Sequence, residues 1–223
     1  SYLIRARYKN SNLHFEKPEE FSYPPSEYVC NFSRLNRPRQ SLFYASETEN
    51  SCFAEMIRFW GEEFNLGDKI RVGLGKWRLK EDIKVIIVPD PDNKSELNIN
   101  TVNRLKPLEL EFWRYISEKF KTTGLDDKNI YEFTSAFCNA LYLNGKKQDK
   151  SVGGFIYSSV QSPENLNLAL NKELVDSDIL NLEQIAEMQC TRLDNDNRKL
   201  PFYTEIIGLR RNAIIANDKI IWK

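Results

Sequence analysis

Between Asn31 and Glu55 the chain reads NFSRLNRPRQSLFYASETENSCFAE, which sets Arg34, Asn36, Tyr44 and Glu55 around a strand-then-helix pattern. A guanidinium offers a fixed fork of donors to phosphate oxygens. A tyrosine ring can stack on a planar group, and a helix-borne carboxylate can steady a positive charge that develops on a reacting carbon. Taken singly, each residue has an ordinary reading. Arg34 and Arg37 fit a solvated basic loop, Glu55 an exposed helix charge, and Tyr44 a core position. Their combination with a second segment is what raises the case for a site.

That second segment is GGFIYSSV (153–160), followed by SPENLNLAL (162–170). Two glycines lead into an apolar run that Ser158 and Ser159 interrupt. A hydroxyl buried in such a strand must find a partner. The alternative is an edge strand whose serines face water.

The elements that must position these residues follow from periodicity. Residues 2–8 (YLIRARY) alternate as a strand, and 42–46 (LFYAS) form a short apolar one. A helix is expected from Glu47 to Phe59, with Phe53, Met56, Ile57 and Trp60 at helical spacing. Ser46 followed by Glu49 has the order of a capping box. Residues 14–31 read as loop, because Pro18, Pro24 and Pro25 exclude a long helix.

Further strands are expected at 69–75 and 83–88, the latter ended by Pro89 and Pro91. Residues 92–106 are polar and read as loop. Pro107 suits the first turn of a helix to about Phe120, through Leu110, Trp113 and Ile116. A second helix runs from about Asp127 to Tyr142 and ends near Asn144-Gly145. Strands follow at 153–160, 166–170, about 184–193 and 203–216, and the tail from Asn217 reads as a turn and a strand-like end. The class is α+β, with antiparallel-leaning strands and helices segregated to the middle. The helix pair fits either a lid or, more simply, core packing of Trp113, Phe137 and Leu141.

With 223 residues the chain fits one domain, 1–223, carrying a helical insertion at about 92–150. Lys+Arg and Asp+Glu number 32 each, so no net field draws the chain to nucleic acid or acidic lipid. The apolar runs are too short to cross a bilayer. Charged residues at 29% with aromatics at 12% indicate a globular protein. No signal-peptide pattern is visible, and a start at Ser1 rather than Met is expected of a trimmed or excised domain. The cysteines, at 30, 52, 138 and 190, show no CxxC or Cys-His clustering, and His14 is the sole histidine. No metal is expected, and free thiols in a reducing, cytoplasmic setting are the simplest account. His14, in a proline-containing loop, is expected at the surface.

RLNxP (34–38), FYAS (43–46), a glutamate eleven residues after Tyr44, and IYSSV (156–160) together resemble the RES domain family. Residue by residue, Arg34 matches the arginine of the family's Gly-Gly-Arg-Trp-Asn-like motif, Tyr44 its strand tyrosine, and Glu55 its helix glutamate. Ser159 matches the serine of its Tyr-Pro-Ser-Val-like strand, and Arg5 the arginine of its first strand. The chain departs from the pattern at Asn31-Phe32-Ser33, which replaces the glycines, at Leu35 for tryptophan, at Arg39 for glycine, and at Ser158 for proline. That last change leaves Ser158 and Ser159 as alternatives for the functional serine.

The resemblance implies a split antiparallel sheet like that of ADP-ribosyltransferases, with flanking helices. It also implies an enzyme that consumes NAD by cleaving the nicotinamide–ribose bond, as a glycohydrolase or phosphorylase. Glu55, Arg34, Tyr44 and Ser159 would be catalytic, and Arg5, Arg34, Asn36, Tyr44, Ser158 and Ser159 would bind NAD. A toxin that depletes cellular NAD, restrained by an Xre-like antitoxin protein, is the biological setting implied. The alternatives are a mono-ADP-ribosyltransferase acting on a protein and a non-catalytic nucleotide-binding module. A third, a nucleic-acid-acting protein, rests on Arg34, Arg37 and Arg39 beside Phe43 and Tyr44, and the neutral charge balance argues against it.

Overall fold

Alternation along the chain produces long strands. In the computed structural model, which describes residues 1–10, 12–63, 65, 67–122, 127, 129–160, 164–193, 203–217 and 219–222, nine strands and five helices are present among those residues. The fold is α+β, as expected. The chain forms two units: Ser1–Ser22, Ala45–Lys80 and Leu180–Lys223 in the first, and Tyr23–Tyr44 and Glu81–Ile179 in the second.

In the first unit, β1 (Tyr2–Asn10) pairs antiparallel with β3 (Lys69–Leu79), and β3 with β7 (Leu180–Leu193). β8 (Tyr203–Ala216) and β9 (Lys219–Trp222) continue the sheet, also antiparallel. On the far side of β1, Ser46 at the end of β2 (Leu42–Ser46) lies opposite Ile4. α1 (Glu49–Glu63) covers one face of this sheet. Its Cys52 and Met56 pack with Ile4, Ile70, Val72, Leu74, Ala186, Met188 and Cys190. The side chains of Ile57 and Trp60, assigned by spacing to the same helix, lie outside the described residues.

The opposite face of the same sheet is built differently. Arg5 and Gly75 are register partners, and Arg7, Gly73, Glu187 and Arg211 form the next row. Over the two glycines lie Phe15 and Phe21, both fully buried, with ring centroids 4.7 Å apart. A Cβ at Gly73 would stand 2.7 Å from atoms of both rings, so glycine is needed there for close approach. Burying each ring contributes about 1.5–3 kcal/mol. Residues 13–22 thereby form a strap across the sheet, ending in a 3-10 turn at Pro18–Phe21.

The second unit contains β4 (Lys84–Ile87), β5 (Val152–Ser158), β6 (Leu166–Asn171) and the start of β2, in the order β4-β5-β6-β2. β4 runs parallel to β5, and β5 antiparallel to β6. α3 (Pro107–Lys121) and α4 (Ile130–Gln148) bury Ile116, Phe120 and Cys138 against Phe155, Tyr157 and Ala169. Trp113, Phe137 and Leu141 pack on this core while staying partly exposed. A Cβ on Gly154 would overlap the Ala169 carbonyl, which accounts for the glycine at that point of β5. Ser162 and Pro163, read as part of a turn, lie outside the described residues.

Several local expectations are corrected. The capping-box start at Ser46 gives way to Thr48, whose Oγ1 accepts from the Ser51 N–H at 3.1 Å, while Ser46 ends β2. Within the expected loop 92–106 lies α2 (Glu96–Val102). It is tied by buried Asn98, which accepts from the Asp90 N–H at 2.9 Å and donates to the Asn93 carbonyl at 3.0 Å. α4 continues past Gly145, where a Cβ would stand 3.0 Å from Ile86, so the glycine serves a close approach rather than a helix stop. β5 has strands on both sides and is not an edge strand, while Ser158, past the last β4 partner at Ile156, is paired only with Leu166 of β6. A short α5 (Lys172–Val175), capped by the Asn171 side chain, precedes β7, which starts earlier than expected. All four cysteines are free, with Cys30 exposed and the other three buried.

Candidate functional site

In the second unit the loop before β2 is folded on itself. The Ser33 N–H donates to the Asn36 carbonyl at 2.9 Å, and the Arg39 N–H to the Val29 carbonyl at 2.7 Å. Arg39 takes a φ of 64°, in the left-handed region. Asn36 is only 4% exposed, so its polar atoms need partners. Its Oδ1 accepts from the Tyr44 hydroxyl at 2.7 Å and from Ser33 Oγ, and its Nδ2 donates to the Arg37 carbonyl at 3.3 Å. Burial pushes the Tyr44 phenol up to about 12, against smaller downward effects that include nearby Arg34. Tyr44 is therefore a neutral donor at ordinary pH, with its proton committed to Asn36.

Arg34 differs from its neighbours. Its Nε is buried and, among the described residues, has no hydrogen-bond partner. The same is true of the Ser158 hydroxyl at the end of β5. Strand alternation turns Ser158 away from the face that carries Phe155 and Tyr157. Ser159 is 2% exposed and its N–H donates to the Asn165 carbonyl at 3.0 Å.

In the first unit Arg5, 5% exposed, donates from Nε to the Ser22 carbonyl at 3.1 Å. Glu55 stands on α1 one turn beyond Cys52. Burial drives the Cys52 thiol up to about 12, and Arg5 pulls it down while Glu55 pushes it up. The sequence-derived residues fall into two groups, Arg5 with Glu55 in one unit and Arg34, Asn36, Tyr44, Ser158 and Ser159 in the other.

Sequence reading missed Ser33, the second donor to Asn36, although its place three residues before Asn36 suits a turn. It also missed Glu187, a fully buried carboxylate beneath the strap. The imidazole of His14, expected at the surface, is half-exposed with Nδ1 2.8 Å from Glu187. Elsewhere on the first unit a concavity of about 360 Å³ is lined by Lys76, Gln184, Arg210 and Asn212. Glu49 and Arg210 form a bidentate ion pair at its edge, and none of the seven residues above lines it.

The family model described as RES domain matches residues 4–191, most of the chain. This is a RES domain protein. No curated protein matches it. All seven candidate residues lie within the RES match, and membership accords with a toxin-like, NAD-related function. Arg39, which the resemblance set against a glycine, stands at a backbone position that suits one. The backbone there has the positive φ that glycine adopts freely, and arginine occupies it at a cost of roughly 1–2 kcal/mol. Among the described residues no helix is long and apolar enough to cross a membrane.

Proposed function

We propose that this RES protein consumes NAD by breaking the bond between nicotinamide and ribose, and that it acts as a toxin by depleting the cell's NAD. The observation that carries the reading is Arg34, an arginine within the RES match whose buried Nε has no hydrogen-bond partner among the described residues. A buried donor left without a partner is costly, and a pyrophosphate oxygen would supply what is missing.

In the proposed reaction the glycosidic bond lengthens and nicotinamide departs, leaving the ribose with oxocarbenium character. Glu55 stabilises that cation electrostatically. Arg34 and Arg5 hold the pyrophosphate. Tyr44, kept neutral, presents its ring, while its hydroxyl fixes Asn36. Ser159, with Ser158 as the alternative, holds the amide or a ribose hydroxyl. Water as acceptor gives a glycohydrolase and phosphate gives a phosphorylase. Transfer to a protein side chain is the second reading. An Xre-like antitoxin is the restraining partner that RES membership suggests.

The test is incubation of the purified chain with NAD, with and without phosphate, following nicotinamide and the ADP-ribosyl product. Nicotinamide should be released by the wild type and not by Glu55→Ala. A folded wild type that neither binds NAD nor releases nicotinamide refutes the reading.

A further inference from the structure

We propose that Glu187 is a positioning residue that fixes the Arg5 guanidinium through the strap 13–22, an inference that rests on the NAD reading above. Glu187 is 1% exposed. A carboxylate in that position is retained only when it is fully paired. Its Oε2 accepts from the Phe15 N–H at 3.1 Å. Its Oε1 lies 2.8 Å from His14 Nδ1 and 2.9 Å from Arg71, with Arg211 at 3.9 Å. Two of these partners, the His14 ring and the Phe15 amide, belong to the strap, so the carboxylate pins one end of the strap to β7.

The middle of the strap rides on β3, where Gly73 and Gly75 leave room for Phe15 and Phe21. Its far end is Ser22, next to Phe21, whose N–H donates to the Glu19 carbonyl at 3.0 Å and whose own carbonyl receives Arg5 Nε. Lys9 of β1 adds a bond to the His14 carbonyl at 3.1 Å and an ion pair with Glu20. The strap is thus fixed on β7, seated on β3 and delivered to β1. A guanidinium is planar, so fixing Nε fixes the direction of its whole fork. Packing alone would hold the strap down. The hydrogen bonds of Glu187 set its place along the sheet, and with it the position of the Ser22 carbonyl.

The experiment is a double-mutant cycle on NAD consumption with Glu187→Gln, Arg5→Ala and the pair, and Gly73→Ala as an independent way to lift the strap. Glu187→Gln is expected to lower kcat/KM about tenfold, mainly through KM, as loss of an aligned ground-state contact does. Combined with Arg5→Ala it should add less than about twofold, because coupled residues are non-additive. Gly73→Ala should show the same coupling, and amide exchange at Phe15 should quicken in Glu187→Gln. A purely structural role predicts independent, multiplying effects. Either that outcome, or a folded Glu187→Gln with wild-type kcat/KM, overturns the inference. If Glu55→Ala is inactive and these results appear, the NAD reading stands without the positioning role. If Glu55→Ala and Arg5→Ala both leave turnover untouched, the NAD reading itself fails.

Discussion

Replacing Arg34 by alanine separates ligand binding from folding more cleanly than any other change in this chain. Among the described residues the buried Arg34 Nε has no hydrogen-bond partner, so its removal breaks no Nε hydrogen bond there. Stability should move by less than about 1 kcal/mol, the range for substitutions that disturb no buried network. Binding has more to lose. A hydrogen bond to a charged group contributes about 1.5–3 kcal/mol, which corresponds to a rise in Kd for NAD of about 10- to 150-fold. Calorimetric titration of NAD in a Glu55→Ala background, where turnover is suppressed, measures this directly, and thermal unfolding of the same proteins measures the first quantity. Arg34→Lys should recover part of the loss, since lysine brings charge without the fork. Unchanged NAD affinity in Arg34→Ala, in a protein that unfolds like the wild type, would refute the pyrophosphate role. A large fall in stability would show that Arg34 is structural.

Ser159→Ala should slow nicotinamide release about tenfold, whereas Ser158→Ala should keep the rate and leave stability unchanged or slightly raised, because its buried hydroxyl has no partner among the described residues to lose. The opposite ranking in the nicotinamide assay moves the role to Ser158. Arg39→Gly should be tolerated, with the relief of a positive φ offsetting the added entropy of the unfolded chain to within about 1 kcal/mol. Arg39→Val should lower the unfolding midpoint. At alkaline pH the phenol of Tyr44, raised from 10 to about 12, and the thiol of Cys52, raised from 9 to about 12, both bind protons more tightly when folded. Their contribution is therefore complete below pH 9 and is lost as pH rises towards 12. Denaturant midpoints measured from pH 8 to 11.5 should fall in the wild type and fall less in Tyr44→Phe. A flat profile would contradict the burial argument.

The long strands were legible because their alternation is uninterrupted, and α3 because Leu110, Trp113, Ile116 and Phe120 keep one face apolar. α2 was not legible, since its anchor is Asn98 bonded to the Asp90 backbone rather than an apolar stripe. Glu187 has the same difficulty. In LEQIAEMQC (182–190) it alternates with Ala186 and Met188 and reads as a solvent-facing charge. Its burial involves a strap whose Phe15 lies 172 positions away in sequence. Gly73 and Gly75, two apart on one strand face, were the available sign that something approaches that face closely. In the loop before β2, residue type singled out Arg34, Asn36 and Tyr44 as candidates. That the tyrosine hydroxyl donates to Asn36, while the Arg34 Nε has no hydrogen-bond partner among the described residues, depends on a loop geometry that sequence spacing does not specify.

The distribution of the four thiols gives this protein a built-in attachment point. Cys52, Cys138 and Cys190 are buried, with the first and second held protonated up to about 12 by desolvation, whereas Cys30 is exposed. A thiol reagent at neutral pH requires thiolate and access, so modification of the native chain should stop at one equivalent. Cys30 adjoins Val29, whose carbonyl holds the Arg39 N–H, and it precedes Arg34 by four positions. A fluorophore placed there needs no engineered cysteine. It would sit on the loop that carries Arg34, so the proposed arrival of NAD there would be read as an optical signal.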